Sequence, residues 1–246
     1  MNALVEKFEE QDWDLASLFD STFEVVTARR PDLLDQVHKL RYEVYCVENA
    51  FESPENHPNE REIDAFDAHA VHSALIHRAS GNVVGCVRLI LPATGSESQL
   101  PIQDIVGEAD RGPLDGLPKD RTAEISRYAV SKSFRRRRGE DLYPDVGFPY
   151  AARINERRVM PHVTLGLLRG ALQLCVEHGI THLCAVMEPS LLRLTSRMGL
   201  TFHPVGPKVN YHGIRQPTFA VLDELDRGFL QKQGDFYDVV TKDARI

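Results

Sequence analysis

The sequence lacks the marks of several large classes of protein. Its four cysteines are widely spaced and form no C-x-x-C pair, which is typical of reduced core residues in a cytosolic protein. No stretch approaches the roughly 18–20 apolar residues that a transmembrane helix requires. The first ten residues are acidic and contain no apolar run, so we expect no signal peptide and a cytoplasmic location. Internal repeats and low-complexity linkers are absent as well.

Positive charge is also scarce relative to negative charge. The chain of 246 residues has a net charge of −7, which argues against general nucleic-acid binding. Hydrophobic residues make up 42% and charged residues 26%, the balance of a globular protein that can bury a core of its own.

Hydrophobic periodicity predicts one α/β (α+β) domain, a mixed and mainly antiparallel sheet flanked by helices. Strands are predicted at 23–28, 70–77, 83–91, 123–131, 181–187, 201–205 and 217–222. Helices are predicted at 1–20, 31–48, 163–176 and 190–198. The main domain therefore spans 23–222, with a peripheral segment at 1–22, a loop-like stretch at 92–121, an insert at about 132–161, and a polar C-terminal helix and tail at 223–246.

The strand Thr122–Val130 carries three polar side chains among apolar and aromatic ones: Glu124, Ser126 and Arg127. Strand alternation predicts Glu124 and Ser126 on one face and Arg127 on the other. A buried carboxylate and a buried guanidinium are costly unless they are paired or used. The strand therefore holds either a structural ion pair or part of a functional site.

Four segments follow one another in an order that resembles a known family: Leu40–Tyr45, Glu62–Asp67, Gly85–Leu89 and Glu124–Val130. In sequence and spacing they resemble the acyl-homoserine-lactone synthases and the long-chain N-acyl amino acid synthases, which share the fold of the Gcn5-related N-acetyltransferases (GNAT). The resemblance covers about residues 23–222. It is closest to the acyltransferases associated with bacterial exosortase (PEP-CTERM) protein-sorting systems.

The resemblance implies an N-acyltransferase with a V-shaped opening between the strands at 122–130 and 181–187. A phosphopantetheine thioester enters this opening, and its acyl chain runs into a pocket between sheet and helices. The enzyme would move a medium or long fatty acyl chain from acyl carrier protein to the amine of an amino acid or similar small acceptor. The alternatives are a lactone synthase that uses S-adenosylmethionine, and a catalytically silent module that binds lipid or carrier protein.

The same resemblance assigns roles to the strand residues. Glu124 is the expected general base, acting directly or through one water, because burial raises the pKa of a carboxylate. The alternative is an ion pair of Glu124 with Arg88 or Arg127. Ser126 either donates to the thioester carbonyl or is a buried hydroxyl bonded to backbone. No Cys–His or Ser–His–Asp arrangement is evident, so a covalent acyl-enzyme is not expected.

The remaining candidates are expected to bind the acceptor: Arg41, Tyr45, Phe51, Asp64, Asp67, Arg88 and Arg127. We interpret the arginines as a charge network with Asp64, Asp67 and Glu124 that shapes the acceptor pocket and can bind an acceptor carboxylate. A purely architectural role for the arginines stays open, as do capping or a divalent metal for the aspartates.

Two further features refine the substrates. Lactone synthases usually carry Phe and Trp where this chain has Tyr45 and Phe51, which favours an amino acid or another amine over S-adenosylmethionine. His69 and His72 should face opposite sides of a strand, so we interpret them as structural and expect no metal. No tightly bound cofactor is expected.

The basic run Arg135, Arg136, Arg137 and Arg138 stands out on an acidic protein. A solvated surface or a nucleic-acid site is possible in principle, but no recognisable helix or aromatic platform accompanies it. The functional interpretation is a docking patch for the strongly acidic acyl carrier protein. Arg136-x-x-Gly139 matches only part of the acetyltransferase phosphate loop R-x-x-G-x-G/A, and Asp141 replaces the second small residue. This favours acyl carrier protein over coenzyme A as donor.

Overall fold

The computed structural model describes residues 14–92, 100–134, 163–232 and 234–242. Among these residues no helix combines the length and apolar character needed to cross a membrane. The basic run at 135–138 and most of the predicted insert lie outside the described residues, as do residues 1–13 and 93–99.

The helices are α1 (Leu15–Thr22), α2 (Pro31–Tyr42), α3 (Pro101–Ile105), α4 (Gly112–Asp115), α5 (Val163–Glu177), α6 (Pro189–Arg197), α7 (Leu222–Lys232) and α8 (Gly234–Thr241). A π-helical turn, Glu43–Glu48, continues α2. The strands are β1 (Phe23–Thr27), β2 (Ala70–His77), β3 (Asn82–Ile90), β4 (Thr122–Val130), β5 (His182–Met187), β6 (His203–Pro204), β7 (Val209–Asn210) and β8 (Ile214–Val221).

The strands form one sheet of eight strands in the order β1-β2-β3-β4-β5-β8-β6, with β7 paired to β8. All neighbouring pairs are antiparallel except β4 and β5, which are parallel. This confirms the predicted mixed, mainly antiparallel sheet flanked by helices. The β2–β3 hairpin turns at Gly81, whose φ of +69° is the conformation that glycine adopts at little cost.

The parallel pair β4–β5 is the place where the resemblance implies an opening. Its ladder runs from Thr122 opposite His182 to Ile125 opposite Ala185, and β4 continues for five residues beyond that point. Next to it, β3 and β4 change register between Cys86 and Arg88 because β4 contains one extra residue, a β-bulge. At this bulge Arg127 has a φ of +49°.

Both faces of the sheet are covered by helices. On one face, α2 buries Leu33, Val37 and Leu40 against Ala74 and Cys86. On the other, α5 packs its apolar side on β1, β2 and β3, with Leu165 and Leu172 in the main core. Gly166 and Gly170 allow this close approach, since a Cβ at Gly170 would lie 2.7 Å from the Cβ of Ser73.

The C-terminal helices belong to the core rather than to a polar tail. Phe229 of α7 and Val239 and Val240 of α8 are almost completely buried. The buried guanidinium of Arg169 holds this end in place by donating to the Val239 carbonyl and, at 2.6 Å, to Asp20 of α1. The sequence analysis predicted a polar helix and tail because these residues are polar on average. The helices are amphipathic, however, and each buries one face.

The stretch predicted as loop-like at 92–121 contains short helices. Pro101 begins α3 and Pro113 lies in the first turn of α4, where proline is well tolerated. Ile102 and Leu114 pack in a separate small core with Ile90 of β3 and other apolar side chains. The segment thus covers the N-terminal half of β4 on the face where α2 also lies.

Gly170→Ala should destabilise the fold although alanine is the better helix former. The added Cβ meets Ser73 on β2, and overpacking typically costs about 1–3 kcal/mol, more than the gain of about 1 kcal/mol in helix propensity. Urea denaturation measures the difference. Gly234→Ala is the control, because nothing lies within 4 Å of a Cβ at that position. Equal effects of the two substitutions would contradict the packing of α5 on the sheet.

Candidate active site

The polar residues of β4 do not follow simple strand alternation. The Ser126 hydroxyl accepts a hydrogen bond of 2.9 Å from Arg88 Nε, and Arg88 Nη1 donates to Asp64 Oδ1 at 2.6 Å. Arg127 Nη2 donates to the other oxygen of the same carboxylate, Asp64 Oδ2, at 3.0 Å. The prediction that Arg127 faces away from Ser126 is therefore wrong. The β-bulge turns its side chain towards the same cluster.

Arg41 is the most deeply buried member of this cluster, with no exposed side-chain surface. Its Nε donates to Glu62 Oε2 at 2.6 Å. Its two terminal nitrogens bind both oxygens of Asp67, at 2.6 and 2.9 Å. A bidentate pair of this kind fixes the guanidinium plane, so the position of α2 relative to the loop before β2 is well defined.

Glu62 completes the network and was not among the predicted site residues. Arg127 binds it through Nε at 3.0 Å to Oε2 and through Nη2 at 2.8 Å to Oε1. The predicted third carboxylate was Glu124, and this prediction is wrong. One signal was present in the sequence: Glu62 lies two residues before Asp64, in the same segment that carried the resemblance. We refer below to Arg41, Arg88, Arg127, Glu62, Asp64 and Asp67 as the arginine–carboxylate network.

The aspartates of the network also cap a local turn. Asp64 precedes the 3-10 turn Ala65–His69, and its Oδ1 accepts from the Phe66 backbone N–H at 2.9 Å. Asp67 Oδ2 accepts from the Asp64 backbone N–H at 2.8 Å. Capping and arginine binding were predicted as alternatives, and the structure has both, since each carboxylate has two oxygens and several lone pairs.

A group of possible metal ligands lies beside the network. Nitrogen or oxygen atoms of His38, Asp67 and His72 lie within 4.8 Å of one another, and His69 belongs to the preceding 3-10 turn. Arg41 Nη1 lies 2.6 Å from Asp67 Oδ1 and 3.1 Å from His72 Nε2, which is where a shared cation would bind. A divalent ion here would have to displace a buried guanidinium. His72 therefore acts as a structural neighbour of the network.

The network keeps two of its carboxylates, Glu62 and Asp67, ionised. Burial alone would raise the pKa of Glu62, but hydrogen bonds from Arg127 and Arg41 outweigh it and lower the pKa to about 2. For Asp67 burial is likewise outweighed by hydrogen bonds from His72 and Arg41, so its pKa lies well below the usual range. These acids are charged throughout the physiological pH range and are unsuitable as proton acceptors.

Glu124 has the opposite environment although it lies two residues from Ser126. It is 3% exposed, and Oε2 accepts a hydrogen bond of 2.8 Å from the Ile102 backbone N–H of α3. Burial raises its pKa to about 7, and the Ile102 hydrogen bond and the charge of Arg88 oppose this only in part. A carboxyl group with such a pKa exchanges a proton near neutrality, as a general base must.

A small cleft lies next to Glu124. It has a volume of about 70 Å³, and Ile102, Thr122 and Cys184 contribute to its lining. Cys184 is the partner of Glu124 across the β4–β5 pair. The cleft has room for a few water molecules, whereas sites for larger ligands usually measure about 300–1,000 Å³. It is not the long acyl pocket that the resemblance implies.

Aromatic side chains form the outer edge of the network. The guanidinium of Arg127 lies 5.0 Å from the centre of the Tyr45 ring, and the Phe51 ring lies 6.1 Å beyond Tyr45. Burial raises the pKa of Tyr45 to about 12, so its hydroxyl stays protonated. Phe51 in turn contacts the ring of His212 at 5.7 Å. The two predicted aromatic residues thus lie side by side between β4 and the β7–β8 hairpin.

Part of the chain is similar in sequence to a known domain family. Residues 40–144 match the sequence profile of the acetyltransferase (GNAT) domain, and all four segments noted in the sequence lie within this range. This match supports the predicted GNAT-type N-acyltransferase enzyme. No curated protein sequence matches the chain.

Solved structures share the fold over most of the chain. The acyl-homoserine-lactone synthase LasI is 20% identical, with a TM-score of 0.55 over 84% of this chain and 95% of its own. BjaI, a CoA-dependent acyl-homoserine-lactone synthase, is 20% identical, with a TM-score of 0.54 over 91% and 89%. FeeM, an N-acyl amino acid synthase from uncultured soil microbes, is 17% identical, with a TM-score of 0.54 over 86% and 96%. At these identities the likeness establishes the fold, and the link to exosortase systems stays a prediction.

Glu62→Gln should destabilise the folded protein by roughly 3–5 kcal/mol, because it leaves two buried guanidinium groups short of one negative charge. The folded-state pKa of Glu62 is lowered, so its contribution is complete above about pH 4.5 and is lost as the pH falls towards 2. Urea denaturation between pH 7 and pH 3 should show a smaller acid-induced loss in the variant. The exposed Glu55→Gln is the control, and equal stability of both variants would contradict the network.

Glu124→Gln should have the opposite effect on stability at alkaline pH. The folded-state pKa of Glu124 is raised, so between about pH 4.5 and 7 the folded protein binds more protons than the unfolded chain and loses stability as the pH rises. The variant should therefore be more stable than the parent protein by roughly 3 kcal/mol at pH 8, and about equal to it at about pH 4. Parallel pH profiles of the two proteins in urea denaturation would show that Glu124 ionises normally.

Proposed function

We propose that the protein transfers an acyl group from a phosphopantetheine thioester to the amine of a small acceptor, with Glu124 as the general base. One observation carries this proposal: a buried carboxyl group whose pKa is about 7 lies two residues before Ser126, where β4 ceases to pair with β5. The GNAT domain match and the fold shared with lactone and N-acyl amino acid synthases support it.

The reaction needs a deprotonated amine held against the thioester carbonyl. Ionised Glu124 accepts a proton from the acceptor's ammonium group, directly or through a water in the neighbouring cleft. The free amine attacks the carbonyl carbon and forms a tetrahedral intermediate. The C–S bond then breaks, and the pantetheine thiolate takes up the proton that the nitrogen gives up. The products are an amide and a free thiol, and Glu124 releases its proton to solvent.

Ser126 and the network have supporting parts in this proposal. Ser126 accepts a hydrogen bond from Arg88, so its own proton can be donated to the thioester oxygen as negative charge develops there. Asp64 is 27% exposed at the edge of the network and Glu52 26%, which makes these two carboxylates suitable partners for an incoming ammonium group. The Tyr45 and Phe51 rings border the same edge and add cation–π attraction.

For the donor we propose acyl carrier protein with a medium or long acyl chain. The proposal rests on the basic run at 135–138 and on the partial phosphate loop, both outside the described residues. A medium or long chain needs more space than the 70 Å³ cleft provides, so its entry requires a wider opening between β4 and β5.

The test supplies purified protein with acyl carrier protein or coenzyme A thioesters and a pool of amino acids, and mass spectrometry identifies the product. We expect an N-acyl amino acid and a kcat/KM that rises with pH through about 7 as Glu124 loses its proton. Glu124→Gln should lower kcat/KM by roughly 10²–10⁴-fold and remove this pH dependence.

Glu55→Gln is the matched control, since it removes an exposed carboxylate that has no part in the proposed reaction. A Glu124→Gln variant within about tenfold of the parent protein, or one that keeps the pH profile, would rule out Glu124 as the base. Release of methylthioadenosine from S-adenosylmethionine would indicate a lactone synthase instead. Thioester binding without any product would indicate a silent binding module.

A further inference from the structure

The arginines of the network are fully engaged with protein carboxylates. Arg41 binds Glu62 and Asp67, and Arg127 binds Glu62 and Asp64 through hydrogen bonds of 2.6–3.2 Å. Arg88 is equally engaged. An acceptor carboxylate could bind to any of them only by leaving a protein carboxylate unpaired, which is strongly unfavourable at a buried position. The sequence-based hypothesis that these arginines bind an acceptor carboxylate is therefore not favoured by the geometry.

Another arginine, Arg215 of β8, lies on the same face of the sheet as the site. Cys184 of β5 pairs with Glu124 on one side and with Phe219 of β8 on the other, so these side chains share a face. Arg215 lies four residues before Phe219 on the same strand, and strand periodicity places it on that face too. It lies just beyond the last β5–β8 pair, Met187 opposite Gln216.

The contacts of Arg215 differ from those of the network arginines. Its guanidinium lies 5.7 Å from the centre of the Phe51 ring. Its ionic partner is Glu188, at 3.1 Å, whose side chain is 51% exposed while that of Arg215 is 14% exposed. The largely buried guanidinium of Arg215 is thus paired with a carboxylate that is readily solvated by water. An incoming carboxylate can replace Glu188 here without stranding a buried charge.

Side chains of the loop after the π-helical turn connect Arg215 with the proposed amine-binding edge. Phe51 lies between Arg215 and Tyr45, and its neighbour Glu52 places Oε1 3.7 Å from Arg127 Nη2. The same oxygen lies 3.6 Å from His212 Nε2 on the hairpin. The edge of the site therefore has carboxylates at one end, two aromatic rings in the middle and a guanidinium at the other end.

We propose that Arg215 is a specificity-determining residue that binds a carboxylate of the acceptor, so that the acceptor is an amino carboxylate rather than a simple amine. The inference rests on the acyl transfer proposed above. The ammonium end binds at Glu52 and Asp64, the hydrocarbon part lies on Phe51, and the carboxylate forms a bidentate pair with Arg215 in place of Glu188. Arginine suits this task because its planar fork matches the two carboxylate oxygens.

The experiment compares matched acceptors with the full chain and a fixed acyl thioester. ω-Amino acids of several chain lengths, whose hydrocarbon part separates the two charged ends, are each paired with their primary amides, which keep the amine and lose the negative charge. The parent protein should prefer the acids. Arg215→Gln should lower kcat/KM for the acids by about 10- to 100-fold, the value of a charge-assisted pair, and leave the amides within about threefold.

Glu188→Gln provides a variant with the opposite expectation. Removing the competing carboxylate should lower KM for the acids by a few-fold, a gain that misfolding cannot produce. The exposed Arg197→Gln on α6 controls for the loss of one positive charge elsewhere on the surface and should leave the preference for acids unchanged. An acid-to-amide preference that survives Arg215→Gln would overturn the role of Arg215.

Activity with the amides distinguishes the proposed acyl transfer from the proposed carboxylate binding by Arg215. If acids and amides are acylated equally well by the parent protein, the acyl transfer stands and the carboxylate site is rejected. If neither is acylated with any thioester, the proposed function fails and the acceptor site falls with it. If the acids are preferred and only Arg215→Gln abolishes that preference, both proposals are supported.

Discussion

The buried arginine–carboxylate network is the interaction on which the rest of the site depends. Its three guanidinium groups and three carboxylates come from α2, the loop before β2, strand β3 and strand β4. Burying any one of these charges alone would carry a large desolvation free energy, which the opposite charges of the network offset. Because each arginine binds two partners, the parts of the chain that carry them have little freedom to shift. The Tyr45 ring packs against Arg127 of the network, and the Phe51 ring packs against Tyr45.

Two glutamates show how the fold divides electrostatic tasks. Glu62 lies within the network and keeps its charge, because hydrogen bonds from two arginines outweigh the cost of burial. Glu124 lies outside it, against the short helix α3, where burial prevails and its pKa reaches about 7. Pairs of carboxyl groups whose environments push their pKa values apart are a common way to assign structural and acid–base roles. If Glu124 had joined the network, it could not exchange protons near neutral pH.

Much of this could be predicted from the sequence, and the failures have physical causes. The strands, the sheet type and the aspartate and arginine members of the network were predicted, because periodicity and short motifs report on local structure and burial. Arg127 was assigned to the wrong face because a bulge adds one residue to β4, and nothing in the local pattern marks it. Glu124 was predicted as the network's third carboxylate in place of Glu62, because which acid meets which arginine depends on contacts between distant segments. Helices α7 and α8 were predicted as a polar helix and tail, because an average over their residues does not reveal the one apolar face that packs in the core.

The backbone of Arg127 places two demands on a single position. Its φ of +49° is a conformation in which glycine is at ease and a long side chain is strained. Yet the guanidinium at this position supplies Glu62 and Asp64 with hydrogen bonds that glycine has no atoms to make. No standard amino acid both removes this backbone strain and supplies the positive charge. Any residue at this position therefore leaves either a strained backbone or two carboxylates without one of their cationic partners.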